Sequence, residues 1–164
     1  LVPGGAQRVD SVRAGFEALT RDSTVILIHD AARPFVSRGT IDAVIARARA
    51  GVGAIAAVPA SDTLKEVGEG ASQRPTPKVV RTVDRERIWR AQTPQGFPRQ
   101  MLVDAYEHLA TTSANGGATP PSDDAEVCER AGFAVELIPD SPYNVKITTA
   151  DDFRIAEALA RELR

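Results

Sequence analysis

Apolar positions along the chain follow two rhythms that alternate with one another. Val25-Ile26-Leu27-Ile28 and Gly53 to Val58 are short runs of small, β-branched and aliphatic residues bounded by polar ones, the pattern of strands buried in a parallel sheet. Between and around them the spacing lengthens to the helical period. Val12, Phe16 and Leu19 share a face behind a cap at Asp10 or Ser11, and Ile41, Val44, Ile45 and Ala48 share one behind Ser37 or Thr40, with Gly51 closing the helix. This β-α-β alternation predicts a mainly parallel sheet flanked by helices. Leu1 to Gly5 reads as the end of a strand running into a glycine turn.

The middle of the chain departs from this rhythm. Thr63 to Val67 and Val79 to Val83 are short alternating runs on either side of a Gly, Glu, Ser and Pro rich stretch from Gly68 to Pro77, which predicts a long projecting hairpin. An isolated two-stranded hairpin is marginal in water, so this one is expected to rest on something, and a second copy of the chain is the natural candidate. Helical spacing then returns. Pro98 is expected to start a helix with Met101, Leu102, Ala105 and Leu109 inward, and Ser122 to cap one opened by Asp123 and Asp124 and ended by Gly132. Strands are expected over Phe133 to Ile138 and Asn144 to Ile147. Thr149 with Asp152 approximates a capping box for a last helix carrying Phe153, Ala156, Leu159 and Leu163.

At 164 residues the chain is expected to form one unit, residues 1–164, with residues 60–86 as its arm. Twenty Lys plus Arg against 22 Asp plus Glu provide no overall basic field of the kind that nucleic-acid binding requires. Apolar stretches fall far short of the roughly 20 residues that span a bilayer, and no signal-peptide pattern opens the sequence. A soluble cytoplasmic protein without nucleic-acid or membrane partners is the expectation. Cys128 is the only cysteine, which excludes an intramolecular disulfide and a cysteine metal cluster, and it reads as small apolar filler on a helix.

The chemistry concentrates after the first apolar run, in His29-Asp30-Ala31-Ala32-Arg33-Pro34. Open α/β sheets bind ligands beyond the carboxyl ends of their strands. Asp30 can hold a magnesium ion or sugar hydroxyls, Arg33 offers a planar fork of donors to phosphate, and the two alanines let a ligand approach the backbone. The same residues also have plainer readings. Asp30 and Arg33 taken alone could be a loop ion pair, His29 a strand-end side chain with a structural role, and Lys146 a solvated lysine. Thr63 and Arg85 could be surface residues of a hairpin, Trp89 and Phe97 core or arm-root packing, and His108 a solvated helix residue.

Seven segments, in order, resemble the 2-C-methyl-D-erythritol 4-phosphate cytidylyltransferase family of non-mevalonate isoprenoid synthesis: Pro3 to Val12, His29 to Pro34, Asp62 to Lys65, Thr82 to Arg85, Thr93 to Gln95, Ser122 to Ala125 and Asn144 to Thr148. Ser122 stands where the family commonly has Thr, which keeps the hydroxyl. The resemblance implies a Rossmann-like nucleotidyltransferase fold and a homodimer in which each arm reaches the neighbour's site. It implies cytidylyl transfer from CTP to the sugar-alcohol phosphate, with release of pyrophosphate and with magnesium or another divalent cation as cofactor. By motif position, Gly5 and Ser11 would contact cytosine, Ala31 would lie beside the nucleotide, and Asp30 would lie at the ribose and the metal. Asp30, Arg33 and Lys146 would carry catalysis, Lys146 at both CTP and the acceptor. Arg33 and Thr93, with Thr63 and Arg85 from across the dimer, would bind the acceptor phosphate.

The family also opens with a strand and a glycine-rich loop that cradles the triphosphate and carries a catalytic Arg and Lys. No segment of this sequence matches that loop, so the sequence is expected to record part of a longer protein. Two alternatives stay open at this point: a ribitol 5-phosphate cytidylyltransferase sharing the mechanism, and a non-catalytic dimerising or nucleotide-binding remnant.

Overall fold

A computed structural model describes residues 1–70, 73–113 and 119–162. The elements run α1 (Arg8–Glu17), β1 (Val25–Ile28), α2 (Arg38–Arg49), β2 (Gly53–Pro59), β3 (Leu64–Val67), β4 (Val79–Val83), β5 (Trp89–Pro98), α3 (Arg99–Ser113), α4 (Asp124–Arg130), β6 (Val135–Pro139) and α5 (Ala150–Glu162). Four strands form a mixed sheet in the order β1-β5-β2-β6. β5 is antiparallel to both β1 and β2, and β2 is parallel to β6. Three of the four strands therefore point the same way, as the β-α-β rhythm predicts, with one reversed strand inserted among them.

That strand, β5, is the element the sequence pattern did not announce. Its sequence, Trp-Arg-Ala-Gln-Thr-Pro-Gln-Gly-Phe-Pro, has no apolar alternation and holds a glycine and two prolines. Proline normally argues against a central strand because it cannot donate to the ladder. Here Pro94 falls where the β2–β5 register is irregular, between the Ile55↔Gln95 and Ala57↔Ala91 pairings, so the missing donor costs no ladder bond. Successive β5 side chains then serve opposite faces. Gly96 lies against Val44 of α2, and Phe97 joins the buried cluster with Ile26, Ile55, Leu102, Ala105, Tyr106, Ala125, Val127 and Cys128. One face of the sheet is thus covered by α2, and the other by α3 and α4 with Val9, Val12 and Phe16 of α1 packed beside them.

Caps decide several boundaries. Ser37 Oγ accepts the Thr40 N–H at 3.0 Å and starts α2, and Gly51 follows its end at φ +89, a conformation glycine adopts without a side-chain penalty. α1 begins earlier than the apolar spacing suggests. Gln7 is its N-cap, and Asp10, expected as a cap, is the third helical residue, whose carboxylate accepts the Gln7 N–H at 3.1 Å. Leu19 lies beyond this helix and is exposed. α4 is capped by Asp123, which accepts the Glu126 N–H at 2.9 Å. Ser122, the expected cap, instead donates its N–H and hydroxyl to Glu126, at 2.6 and 2.8 Å. Those two bonds, together with Arg130, hold the Glu126 carboxyl down at about 2.

Three further expectations are corrected. Leu1 to Gly5 makes no ladder and is exposed. Asn144 to Ile147 is a loop tied to the loop after β1 at one backbone bond, Ile147 N–H to Ala32 carbonyl at 2.9 Å, and one bond makes no strand. In α5 the Thr149–Asp152 capping box is present and Ala156 is buried, but Phe153, expected inward with it, is more than half exposed, because the described residues set little against it. Leu163 lies outside the described residues.

The hairpin forms as expected. β3 and β4 pair antiparallel as a separate two-stranded sheet, held by cross-strand Lys65–Thr82 and Glu66–Arg81 contacts, and nearly all of it is exposed. Cys128 is buried on α4, and burial pushes its thiol up to about 12, as befits an inert filler. No described helix is long and apolar enough to cross a membrane.

Candidate active site

The loop after β1, the irregular middle of β5 and the loop before α5 converge on one hollow. It has a volume of about 210 Å³, and its lining includes Asp30, Arg33, Thr93 and Lys146. Each of these is fixed by a neighbour. Thr93 Oγ1 accepts the Asp30 N–H at 3.0 Å and pairs with His29 Nδ1 at 2.9 Å. His29 Nε2 lies 3.0 Å from the Arg33 carbonyl, which can only accept, so that nitrogen carries the hydrogen. His29 is therefore a brace for the loop, as its structural reading implies, although the ring is exposed and does not end a buried strand.

Arg33 donates to the Asn144 carbonyl at 2.7 Å, and Gln92 donates to the same oxygen at 3.1 Å. Asn144, wholly buried, donates its amide to the Thr93 carbonyl at 2.9 Å and to Asp140 at 2.7 Å, and Thr40 donates to Asp140 at 2.6 Å. A polar hub under the site thus ties together α2, β5 and the loop before α5. Buried polar groups of this kind hold their places because an unmade bond costs about 1–3 kcal/mol.

Lys146 Nζ lies 3.0 Å from Asp30 Oδ2 and Arg33 Nε 3.6 Å from it. Burial alone would push the Asp30 carboxyl up. The bond and charge of Lys146, with the charges of Arg8 and Arg33, outweigh burial and hold it below its ordinary value. For Arg33 burial is the larger influence and lowers its pKa, yet a guanidinium stays charged at physiological pH. The site thus presents an ionised carboxylate beside two cations in a partly desolvated hollow. That composition suits an anionic ligand carrying both hydroxyls and phosphates.

A second hollow of about 370 Å³ adjoins the first. The two share Arg33, Ala91, Gln92 and Lys146, and the second adds Arg90 and Asn144. Among the described residues no cluster of three His, Cys, Asp or Glu side chains could hold a metal by itself. Asp123, which also faces the first hollow, has both oxygens committed, to Glu126 N–H and to Gln95 Nε2 at 2.9 Å. Asp30 is left as the carboxylate able to complete a magnesium shell built mainly from phosphate oxygens, a donor set that magnesium accepts.

The remaining expected residues lie elsewhere. Gly5 N–H donates to Ser11 Oγ at 3.0 Å in the turn before α1, and neither residue lines the first hollow. Ala31 follows Asp30 in its loop. Thr63 and Arg85 are exposed on the arm, Arg85 donating to the Ser61 carbonyl, and neither lines the hollow of its own chain. Trp89, at the arm root, is half-exposed. Spacing gave no role to Arg8, Gln92, Gln95 or Asn144, which line or support the site. They come from segments distant in sequence, and only the fold reveals that they converge.

Comparison with known proteins places this arrangement. The sequence model of the family described as "2-C-methyl-D-erythritol 4-phosphate cytidylyltransferase" matches residues 1–162. A protein of that name from Syntrophus aciditrophicus is 41% identical over 162 residues, covering 99% of this chain and 64% of that protein. The bifunctional enzyme IspD/IspF of Anaeromyxobacter dehalogenans is 44% identical over 158 residues, covering 96% of this chain and 38% of that protein. Among solved structures, the 2-C-methyl-D-erythritol 4-phosphate cytidylyltransferase of Thermus thermophilus superposes with a TM-score of 0.83 at 36% identity, over 98% of this chain and 72% of that one. The chain thus spans less than two thirds of the curated relatives it matches first.

Proposed function

The chain belongs to the 2-C-methyl-D-erythritol 4-phosphate cytidylyltransferase family, and from that premise we propose that it serves cytidylyl transfer from CTP to 2-C-methyl-D-erythritol 4-phosphate. The observation that carries this reading is the pair of adjoining hollows with Arg33 and Lys146 in their shared wall. Two anionic substrates must be brought phosphate to phosphate, and cations at the junction offset the repulsion that keeps them apart.

An oxygen of the acceptor phosphate attacks the α-phosphorus of CTP. A new P–O bond forms as the bond to the β-phosphate oxygen breaks, and pyrophosphate leaves with the electron pair. The nucleophile is already an anion, so no base is required and no covalent enzyme intermediate forms. Positioning of this kind can supply roughly 7–11 kcal/mol of the barrier. Arg33, Thr93 and Lys146 hold the acceptor phosphate, and Lys146 also stabilises charge developing on the transferred phosphate. Asp30 orients Lys146 and Arg33 and accepts from ribose hydroxyls, with Ala31 alongside, while Gly5 and Ser11 read the cytosine. A magnesium ion, held by Asp30 and phosphate oxygens, would stabilise the leaving pyrophosphate.

The exposed arm, with Val79 and Val80 uncovered, supports a homodimer in which Thr63 and Arg85 of each arm complete the partner's acceptor site. We assign the reaction to the cytoplasm, as a compartment that supplies CTP. The test is pyrophosphate release by the full-length protein, with the glycine-rich triphosphate loop that the family uses in place, given CTP, magnesium and either sugar-alcohol phosphate. Release with 2-C-methyl-D-erythritol 4-phosphate is expected. Release with ribitol 5-phosphate alone, or with neither, would overturn the reading.

A further inference from the structure

A second carboxylate stands beside the site, and the proposed reaction does not use it. Asp124 has no exposed surface, and its ion-pair partner, Arg8, lies 116 residues away in sequence, donating from Nη2 to Asp124 Oδ2 at 2.7 Å. The other oxygen, Oδ1, accepts the hydroxyl of Tyr106 at 2.8 Å, and the backbone N–H of Asp124 donates to Gln95 Oε1 at 3.1 Å. Gln95 is itself buried in β5 and also accepts the Ala125 N–H. Both oxygens of this carboxylate are thus assigned, and its position is fixed from α3, α4 and β5 together.

A buried ion pair is a poor stabilising device, because desolvation offsets most of its attraction. What this one achieves is geometric. Arg8 is about a third exposed and lines the same hollow as Asp30, Arg33 and Lys146. Among the described residues its guanidinium donates to Asp124 alone, so Nε and Nη1 carry donors with no partner among them. Holding one corner of a planar guanidinium in a buried socket aims the remaining donors. Tyr106 does not line this hollow and acts only through Asp124.

We infer that Arg8 is a further phosphoryl-binding residue of this site, its guanidinium aimed into the hollow by Asp124, with Tyr106 and Asp124 as positioning residues. This deepens the proposed function and rests on it for the identity of the two phosphate-bearing substrates. The phosphoryl oxygen can belong to the nucleotide or to the acceptor.

The test is calorimetric binding of three probes to the wild-type protein and to Arg8→Gln, Arg8→Lys and Tyr106→Phe. The probes are magnesium pyrophosphate, 2-C-methyl-D-erythritol 4-phosphate and neutral cytidine. Arg8→Gln is expected to weaken one phosphate-bearing probe about tenfold or more, the usual reach of a lost charge-assisted bond, and to leave cytidine unchanged. Loss on pyrophosphate places Arg8 at the nucleotide, and loss on the sugar phosphate places it at the acceptor. Arg8→Lys, which keeps the charge without the fork, restores part of the loss, and Tyr106→Phe weakens the same probe by a smaller factor. Binding of both phosphate probes unchanged in Arg8→Gln, with only the melting temperature lowered, overturns the inference, as does a loss confined to cytidine. Should Arg8→Gln fail to fold, Tyr106→Phe decides on the same readouts, since it leaves the Arg8–Asp124 pair in place. Because binding is read without turnover, absence of cytidylyl transfer would count against the proposed reaction and not against Arg8.

Discussion

At the scale of single residues the site is an exercise in opposing influences on one carboxylate. Burial favours the neutral form of Asp30, and the cations around it favour the ion. Lys146 supplies the largest share of that opposition, so Lys146→Met should raise the Asp30 pKa toward its ordinary value. A carboxyl-carbon NMR titration reads this directly, and an unchanged or lower pKa would remove Lys146 as the counter-ion. The sign for stability follows from the same shift. A carboxyl whose pKa is lowered on folding stabilises the native state above its unfolded pKa, and that contribution fades as pH falls through the folded value. In the Lys146→Met protein the contribution should therefore vanish at a higher pH. Asp30, Arg33 and Lys146 were legible as residues because a short motif and a matched segment marked them. Arg8, Asp124 and Tyr106 were less so. Arg8 lay inside a matched segment with no role attached, and Asp124 reads in sequence as an ordinary acidic residue in the first turn of a helix. Nothing in their spacing signals a contact across 116 positions.

At the scale of elements, legibility followed periodicity. α2, β2, the β3–β4 hairpin and α3 have one apolar face or one clean alternation, and the sequence places them within a residue or two. β5 has neither, because its residues are chosen for what they touch on both faces and at the site, not for strand propensity. Gly96 shows the constraint most sharply. A Cβ there would come within 2.4 Å of Val44 Cγ1, and Val44 is β-branched, fully buried and unable to swing aside. Gly96→Ala should therefore destabilise the protein by about 1–3 kcal/mol, the usual cost of overpacking. A denaturant titration would measure it, and Val44→Ala in the same chain should recover most of the loss. Equal stability of the single variant and the wild type would mean that α2 and β5 are not packed as described. The exposed apolar face of α5 has the opposite origin. Phe153 fits the helical period with Ala156 and Leu159, so the pattern predicts burial there, while the described residues supply no surface that buries Phe153.

At the scale of the whole molecule the question is where a complete site resides. The hollow around Asp30 contains the cations of its own chain, while Thr63 and Arg85 stand on an exposed arm that does not line it. If two copies exchange arms, each site draws Arg33 from one chain and Arg85 from the other, and a twofold-symmetric assembly makes both sites equivalent. This has a consequence that a monomer could not imitate. Arg33→Ala and Arg85→Ala should each cripple the acceptor site of a homodimer. In a mixed dimer the Arg85→Ala chain still offers an intact body, and the Arg33→Ala chain offers it an intact arm. One of the two sites is then wild type and the other carries both lesions. Random mixing puts about half of the dimers in the mixed form, so activity should rise to about a quarter of the wild-type value. The readout is pyrophosphate release after the two purified variants are unfolded and refolded together, against each refolded alone. Activity that stays at the mean of the two variants would place Arg85 with its own chain's site and remove the arm exchange from the proposed mechanism. Recovery near a quarter is difficult to obtain in any other way, because neither variant chain by itself contains both guanidinium groups.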